Sequence, residues 1–276
     1  MRTTIFPDGT QVPALGQGTW MMAERPERRA DEVAALREGV ALGMTLIDTA
    51  EMYGEGAAES LVGEAIAGLR DRVFLVSKAY PHNASRTRLP QSCEASLKRL
   101  GTDRIDLYLL HWRGSVRLAE TVEAMERLVE AGKILRWGVS NLDTGDMEEL
   151  IAAGGTRCAT DQILYNLTRR GPEFELIPWL AERSMPVMAY SPVEQGRLLR
   201  HTALQAIAER LGATPAQVAL SWLLQKGGVI AIPKAGSVAH VRENRAAAEV
   251  ELGATEFAEL DRAFPRPNRR VALEMI

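Results

Sequence analysis

Four side chains of the types used in proton transfer follow apolar runs in the first half of the chain. Asp48 ends the run TLID, Lys78 follows VFLVS and His111 follows LYLL, while Tyr53 lies in a glycine-containing segment five residues after Asp48. A carboxylate allows an ammonium group to be buried, and an ammonium group beside a phenol lowers the phenol's pKa. A neutral imidazole can donate an N–H to a carbonyl oxygen. Together these groups can protonate an oxygen on which negative charge develops.

Other kinds of chemistry fit these four residues poorly. They include no obvious nucleophile and too few ligands for a metal, so no metal site is predicted, and a hydride must come from an external donor. Each residue alone also has a structural explanation: Asp48 as a loop cap, Lys78 reaching solvent along its aliphatic stem, and His111 as a satisfied core residue. Their occurrence at three successive strand ends favours catalysis.

The elements that position these residues alternate short β-branched runs with amphipathic stretches, which predicts repeated βα units around a parallel sheet. The predicted strands are Leu15–Trp20, Thr45–Ala50, Val73–Lys78, Ile105–His111, Leu135–Asn141, Ala159–Tyr165, Pro186–Ser191 and Val229–Pro233. Eight βα units of about 30 residues each account for about the whole chain, and eight parallel strands close a barrel. An open dinucleotide-binding sheet would favour a Gly-x-Gly-x-x-Gly turn after its first strand, and no such turn follows the first predicted strand here. We therefore predict an α/β protein with a (β/α)8 TIM barrel as a single domain over residues 1–276.

Two additions to the barrel are predicted. Pro7-Asp8-Gly9 indicates a tight turn between two extended runs, and hence an N-terminal β-hairpin that forms a lid over the N-terminal mouth of the barrel. Additional C-terminal helices follow, and Thr214 as N-cap with Pro215 at the first helical position divides residues 202–226 into two of them.

Composition excludes several classes of protein. The 276 residues are 46% hydrophobic and 25% charged, with a formal net charge of −3, which gives no reason to expect nucleic acid or an anionic membrane as a partner. No apolar run approaches the roughly 20 residues of a membrane helix, and the first residues lack the apolar core of a secretory signal. The two cysteines, Cys93 and Cys158, are interpreted as packing residues in a reducing setting. We expect a cytoplasmic monomer that acts on a small molecule.

Several motifs, in order and spread over nearly the whole chain, resemble those of the aldo-keto reductase family. They are Ile47-Asp48-Thr49-Ala50, Met52-Tyr53-Gly54, Ser77-Lys78, Leu110-His111-Trp112, Gly138-Val139-Ser140-Asn141 and Ile232-Pro233-Lys234. The resemblance implies a (β/α)8 barrel and NAD(P)H-dependent interconversion of carbonyl and alcohol. It also implies that Tyr53 is the general acid, that Lys78 and Asp48 tune it, and that His111 orients the substrate.

Later strand ends suggest where the cofactor lies. The hydroxyl and amide groups of Ser140, Asn141 and Gln162 suit a carboxamide, and the resemblance assigns them to the nicotinamide amide; stapling of loops is the structural alternative for the two amides. The resemblance implies that Tyr190 stacks on the nicotinamide ring, with strand-end packing as the alternative. The other cofactor-binding residues that it implies are Gly18, Thr19, Trp20, Asp48, Ser191, Pro192, Gly196, Leu198, Ile232, Lys234, Ser237, His240, Glu243 and Asn244.

The phosphate end of this predicted cofactor site departs from the family pattern. Lys234 matches a lysine for the 2′-phosphate, but Ala235 occupies a position often filled by serine and His240 one often filled by arginine. Histidine is charged only part of the time near neutral pH, whereas the planar guanidinium group of arginine is always charged and can bind phosphate through two N–H groups. NADPH is therefore favoured and NADH stays open. Ser237 either contacts the phosphate or caps the helix that starts there.

Aromatic residues near the strand ends predict the substrate pocket. Trp20 and Trp112, with Met22, Tyr53 and His111, are the predicted wall, and aromatic walls favour an uncharged, partly apolar carbonyl compound. Packing is the alternative role for the two tryptophans.

The short segment after Phe264 predicts no large loop over the substrate. With the compact loop at 53–59, this resembles the compact bacterial members of the family, which implies reduction of small aldehydes, including 2-oxoaldehydes such as methylglyoxal. The alternative function is that of an NADPH-binding regulatory subunit with incidental turnover.

Overall fold

Short apolar runs form the strands of the computed structural model, which describes residues 1–276. The strands are β1 (Thr3–Ile5), β2 (Gln11–Pro13), β3 (Gln17–Gly18), β4 (Leu46–Asp48), β5 (Phe74–Ala79), β6 (Leu107–Leu110), β7 (Trp137–Ser140), β8 (Asp161–Leu164), β9 (Val187–Tyr190) and β10 (Val229–Ala231). Strands β3 to β10 pair in chain order and in parallel. Parallel bridges from Leu15 to Ala231 and from Gly18 to Lys234 join the first and last of these strands into a barrel. The predicted fold is confirmed.

Helices follow the barrel strands and cover the outside of the sheet. They are α1 (Arg29–Ala41), α2 (Ala57–Ile66), α3 (Arg88–Leu100), α4 (Leu118–Glu130), α5 (Thr144–Ala152), α6 (Leu176–Ala181), α7 (Thr202–Leu211), α8 (Pro215–Leu224), α9 (Val238–Ala246) and α10 (Ala254–Ala263). Between α7 and α8, the Thr214 hydroxyl accepts from the Gln217 N–H at 3.2 Å, and the Gln217 side chain accepts from the Thr214 N–H at 2.9 Å. This capping box, with Pro215 in the first turn, produces the predicted division.

The antiparallel strands β1 and β2 form the predicted hairpin at the N-terminal mouth. Phe6 and Val12 are 1% and 2% exposed and pack with inward-facing residues of the barrel such as Leu46 and Ile230. The Thr4 hydroxyl donates to the carbonyl oxygen of Val229 at the start of β10, at 3.2 Å. The hairpin thus closes this mouth and leaves the carboxyl ends of the strands as the open face.

Where β3 meets β10, the barrel depends on a glycine. A Cβ atom on Gly18 would lie 2.7 Å from the carbonyl oxygen of Ile232, closer than real Cβ atoms approach. The Gly18 N–H donates to the carbonyl oxygen of Pro233 at 3.0 Å. Glycine therefore permits the close approach of the two strands that complete the barrel.

The two cysteines are packing residues, as predicted. Cys93 and Cys158 are free, 0% and 1% exposed, and belong to the main apolar core between sheet and helices.

None of the helices is long and apolar enough to cross a membrane.

Candidate active site

The carboxyl ends of β4 and β5 bring the predicted catalytic groups into contact. The Lys78 ammonium group donates to Asp48 Oδ2 at 2.8 Å, to the carbonyl oxygen of Thr49 at 2.9 Å and to the Tyr53 hydroxyl at 3.1 Å. The His111 ring, which follows β6, lies edge-on to the Tyr53 ring with centroids 5.7 Å apart. The four side chains expected to meet at this face do so.

Burial and the neighbouring charged groups together set the protonation states of Lys78 and His111. Burial lowers the pKa of Lys78, but the nearby charge of Asp48 and the Tyr53 phenol outweigh it, so the Lys78 pKa lies above its usual value. Burial, and to a smaller extent the charge on Lys78, lower the pKa of His111 to about 2, so the imidazole is neutral. These are the charged lysine and neutral histidine that the sequence suggested.

The prediction that Lys78 lowers the pKa of Tyr53 below its ordinary value is wrong. Burial raises the pKa of this phenol by more than the attraction of Lys78 lowers it, and the charge of Asp48 adds to the rise. Removing the phenol from water disfavours the phenolate before any local charge acts. Tyr53 is therefore a protonated phenol at neutral pH.

Amide and hydroxyl groups in or directly after β7, β8 and β9 form hydrogen bonds with one another and with the Asp48 carboxylate. Gln162 Nε2 donates to Asp48 Oδ1 at 2.8 Å, and the Ser140 hydroxyl donates to the carbonyl oxygen of Gln162 at 2.8 Å. Asn141 Nδ2 donates to that hydroxyl at 3.0 Å, while Asn141 Oδ1 accepts from the Tyr190 hydroxyl at 2.9 Å. This network orients the polar groups that face the cleft.

These groups line a cleft of ≈ 800 Å³ at the open face, together with Tyr53. The predicted cofactor residues in its wall are Gly18, Thr19, Trp20, Asp48, Ser140, Asn141, Gln162, Tyr190, Ser191, Pro192, Gly196, Ile232 and Lys234. Ligand pockets commonly have this size, and the donors and acceptors suit a polar, extended ligand such as a dinucleotide. The residues present therefore fit the cofactor expected from the sequence.

The other predicted cofactor residues do not line the cleft. Leu198 is 3% exposed, and the Ser237 hydroxyl caps α9 by accepting from the His240 N–H at 3.4 Å. Glu243 Oε1 accepts from the Thr214 hydroxyl at 2.8 Å. Asn244 lies on the same helix as His240 and Glu243. A cofactor contact of these five residues stays a prediction.

The predicted substrate wall is present except for one residue. Trp20 and Trp112 line the cleft beside the phenol and imidazole described above. Met22, expected in this wall, is instead 0% exposed and packs in the main core. The preceding Met21 has a left-handed φ of 61° and is 52% exposed in the cleft wall, so the turn after β3 exchanges the expected positions of the two methionines.

Two parts of the cleft wall were not predicted from the sequence. Met275 and Ile276 line it, although the segment after residue 264 was expected only to form no large loop over the substrate, and the Arg169 guanidinium holds the adjacent Glu274. Four charged residues before and within α1 also line it: Glu24, Arg25, Arg28 and Glu32. No local pattern marks these segments, because their position depends on contacts between residues far apart in the sequence.

Comparison with known proteins identifies the family. The model of the aldo/keto reductase family matches residues 14–264, and the chain belongs to this family. It is 54% identical over 277 residues to methylglyoxal reductase YeaE of Escherichia coli K12, covering 98% of each chain, and 31% identical over 263 residues to glyoxal reductase of Bacillus subtilis 168, covering 94% and 91%.

Solved structures agree with this assignment. An aldo/keto reductase from Klebsiella pneumoniae in complex with NADP and acetate superposes with a TM-score of 0.97 at 52% identity over 99% of each chain. The thermostable aldo-keto reductase Tm1743, solved with the inhibitor epalrestat, superposes with a TM-score of 0.91 at 40% identity, over 95% of this chain and all of the other.

Proposed function

We propose that this protein is an NADPH-dependent reductase that transfers a hydride to the carbonyl carbon of small aldehydes and ketones. The observation that carries the proposal is the buried Lys78 ammonium group, held 2.8 Å from Asp48 and 3.1 Å from the Tyr53 hydroxyl. This arrangement supports proton donation by a phenol next to a cleft large enough for a dinucleotide and a small substrate.

The cofactor, when bound, supplies the hydride to the carbonyl carbon. Ser140, Asn141 and Gln162 would hold its carboxamide, and Tyr190 would offer a flat face to its ring. Family membership and the Klebsiella pneumoniae structure with NADP support NADPH as this cofactor. Lys234 in the cleft wall would meet the phosphate that distinguishes NADPH from NADH.

The chain's own residues complete the reduction with a proton. As negative charge develops on the carbonyl oxygen, Tyr53 transfers its phenolic proton there, and the product is an alcohol. The adjacent Lys78 ammonium group stabilises the phenolate that remains, and Asp48 keeps that ammonium group charged. Neutral His111 donates a hydrogen bond that orients the carbonyl oxygen. The intact arrangement favours turnover over a purely nucleotide-sensing role.

We infer that 2-oxoaldehydes such as methylglyoxal are among the substrates. The names of the relatives in Escherichia coli and Bacillus subtilis, a methylglyoxal reductase and a glyoxal reductase, support this class. Trp20 and Trp112 provide an aromatic wall of the kind that suits small, uncharged compounds.

The test is a panel of aldehydes and ketones, followed at the NADPH absorbance band and repeated with NADH. Tyr53→Phe removes the proton donor, so turnover should fall at least about 10²–10⁴-fold while NADPH binding is kept. Tyr80→Phe is the matched control, because the Tyr80 ring stacks on His82 and its hydroxyl forms no hydrogen bond with Lys78, unlike that of Tyr53. Near-parent turnover by the Tyr53 variant would contradict the proposal.

We also infer a cytoplasmic monomer that binds a small-molecule carbonyl substrate and no nucleic acid. The near-balanced charge and the two free, buried cysteines support this. Light scattering coupled to gel filtration tests the oligomeric state directly.

A further inference from the structure

Three lysine or arginine side chains line the cleft, and they differ in how well they are paired. Arg25 forms an ion pair with Glu27 at 2.7 Å. The nearest carboxylate to Arg28 is that of Asp31, 3.8 Å from Nε, and this buried Nε has no hydrogen-bond partner. The ammonium group of Lys234 has no ion-pair partner in the protein. Two cleft cations are thus available to an anionic ligand.

The available cations, Arg28 and Lys234, converge at Gly236. A Cβ atom placed on this glycine would lie 3.4 Å from Lys234 Nζ and 3.7 Å from Arg28 Nη2. Arg28 Nη2 also donates to the carbonyl oxygen of Gly236 at 3.1 Å, which fixes the guanidinium beside the segment that follows β10. An ammonium group and a guanidinium fork therefore face one small space in which the chain has no side chain.

One carboxylate shares this space. Glu32 Oε1 would lie 3.7 Å from the same Cβ position, while Glu32 Oε2 accepts from the N–H of Ala23 at 2.9 Å. Two cations and one carboxylate leave an excess of positive charge. A phosphomonoester carries between one and two negative charges at neutral pH, and it accepts hydrogen bonds from both a point-like ammonium group and a planar fork.

We propose that Arg28 binds the 2′-phosphate of NADPH together with Lys234 and so discriminates NADPH from NADH. The inference rests on the proposed function and adds a specificity-determining residue to it. His240 lies outside the cleft wall, so the guanidinium fork reaches the phosphate from the residue before α1 and not from α9.

The experiment measures dissociation constants of NADPH, NADH, adenosine 2′,5′-bisphosphate and AMP for the purified protein. In Arg28→Met the two ligands with a 2′-phosphate should bind about 10- to 100-fold more weakly, the size expected for a lost charged hydrogen bond, with NADH and AMP unchanged. Arg29→Met is the matched control: it removes the same charge from the next residue, which pairs with Glu64 at 2.9 Å and does not line the cleft. Arg28→Lys should retain part of the preference.

The outcomes separate this inference from the proposed function. Equal weakening of NADPH and NADH in Arg28→Met, or no change in either, would overturn the role of Arg28 while the reductase assignment stands. An unaltered protein that binds none of the nucleotides would overturn the proposed function itself. Circular dichroism of both methionine variants verifies that they fold.

Discussion

Lys78 is fully buried, and its ammonium group balances the negative charge of the Asp48 carboxylate. We expect Lys78→Met to lower the free energy of unfolding by about 3–5 kcal/mol, because it leaves a buried carboxylate whose remaining side-chain partner is Gln162. Urea titration measures this. The double variant Lys78→Met/Asp48→Asn removes the stranded charge and should recover part of the loss; a double variant less stable than the single one would contradict this explanation.

The pH dependence of the reduction follows from the same residues. Burial raises the pKa of Tyr53 above the ordinary tyrosine value of about 10, so the proton-donating form persists through neutral and mildly alkaline pH and is lost only in strong alkali. With a pKa of about 2, His111 stays neutral throughout the usual range. We expect turnover to be flat from about pH 6 to 9 and to fall on the alkaline side. A fall near pH 6.5, the ordinary pKa of histidine, would show that His111 titrates in the active protein.

For individual residues of the site, the sequence predicts the residue type and the approximate position in the fold. Asp48, Lys78 and His111 follow recognisable strands, so their meeting is predictable. The direction of the Tyr53 pKa shift is not, because it depends on burial that no local pattern shows. Arg28 lies in an ordinary polar segment, and only the packing of α1 beside residue 236 brings it to the cleft.

Among the elements, the junction of β3 and β10 tolerates the least change. In Gly18→Ala the new methyl group would meet the carbonyl oxygen of Ile232 at 2.7 Å, so one strand must move. We expect a loss of about 1–3 kcal/mol in stability, with weaker nucleotide binding, since Gly18 lines the cleft. Gly145→Ala in α5 is the control: its closest contact would be 3.4 Å, and helix propensity favours alanine. Equal melting temperatures for the two variants would refute this role of Gly18.

Element boundaries were predictable where the signal is local. The Thr214 and Pro215 pattern gives the start of α8, because the capping groups lie within one turn. Most predicted strands are longer than the observed ones; for example, β3 covers only Gln17–Gly18 of the predicted Leu15–Trp20. The chain leaves the barrel for its loops once hydrogen bonding to both neighbours ends, and side-chain patterns do not mark that point.

Over the whole molecule, Arg169 connects two separate parts of the cleft wall. Its guanidinium contacts Glu194, in the segment where residues 194–196 have left-handed φ values, and Glu274, next to the last cleft-lining residues. We expect Arg169→Met to increase hydrogen exchange in both segments and to raise KM for NADPH and for the carbonyl substrate. Arg197→Met is the control, because Arg197 pairs with Glu194 at 3.0 Å but not with Glu274. Faster exchange in only one segment would show that Arg169 does not couple them.

The repeat of about 30 residues predicts the barrel, because each βα unit must bury its apolar face against its neighbours. The position of residues 275 and 276 was not predictable in this way. It depends on long-range ion pairs such as that between Arg270 and Glu175, at 3.1 Å, which leave no periodic trace in the sequence.

The placement of the two thiols has a chemical consequence for a protein that handles reactive carbonyls. Burial raises the pKa of Cys93 and Cys158 to about 12, so neither supplies a thiolate at neutral pH. Electrophilic dicarbonyls readily form hemithioacetals with exposed thiols, and both thiols of this chain are buried. The enzyme is thereby spared one route of inactivation by the compounds that we propose it reduces.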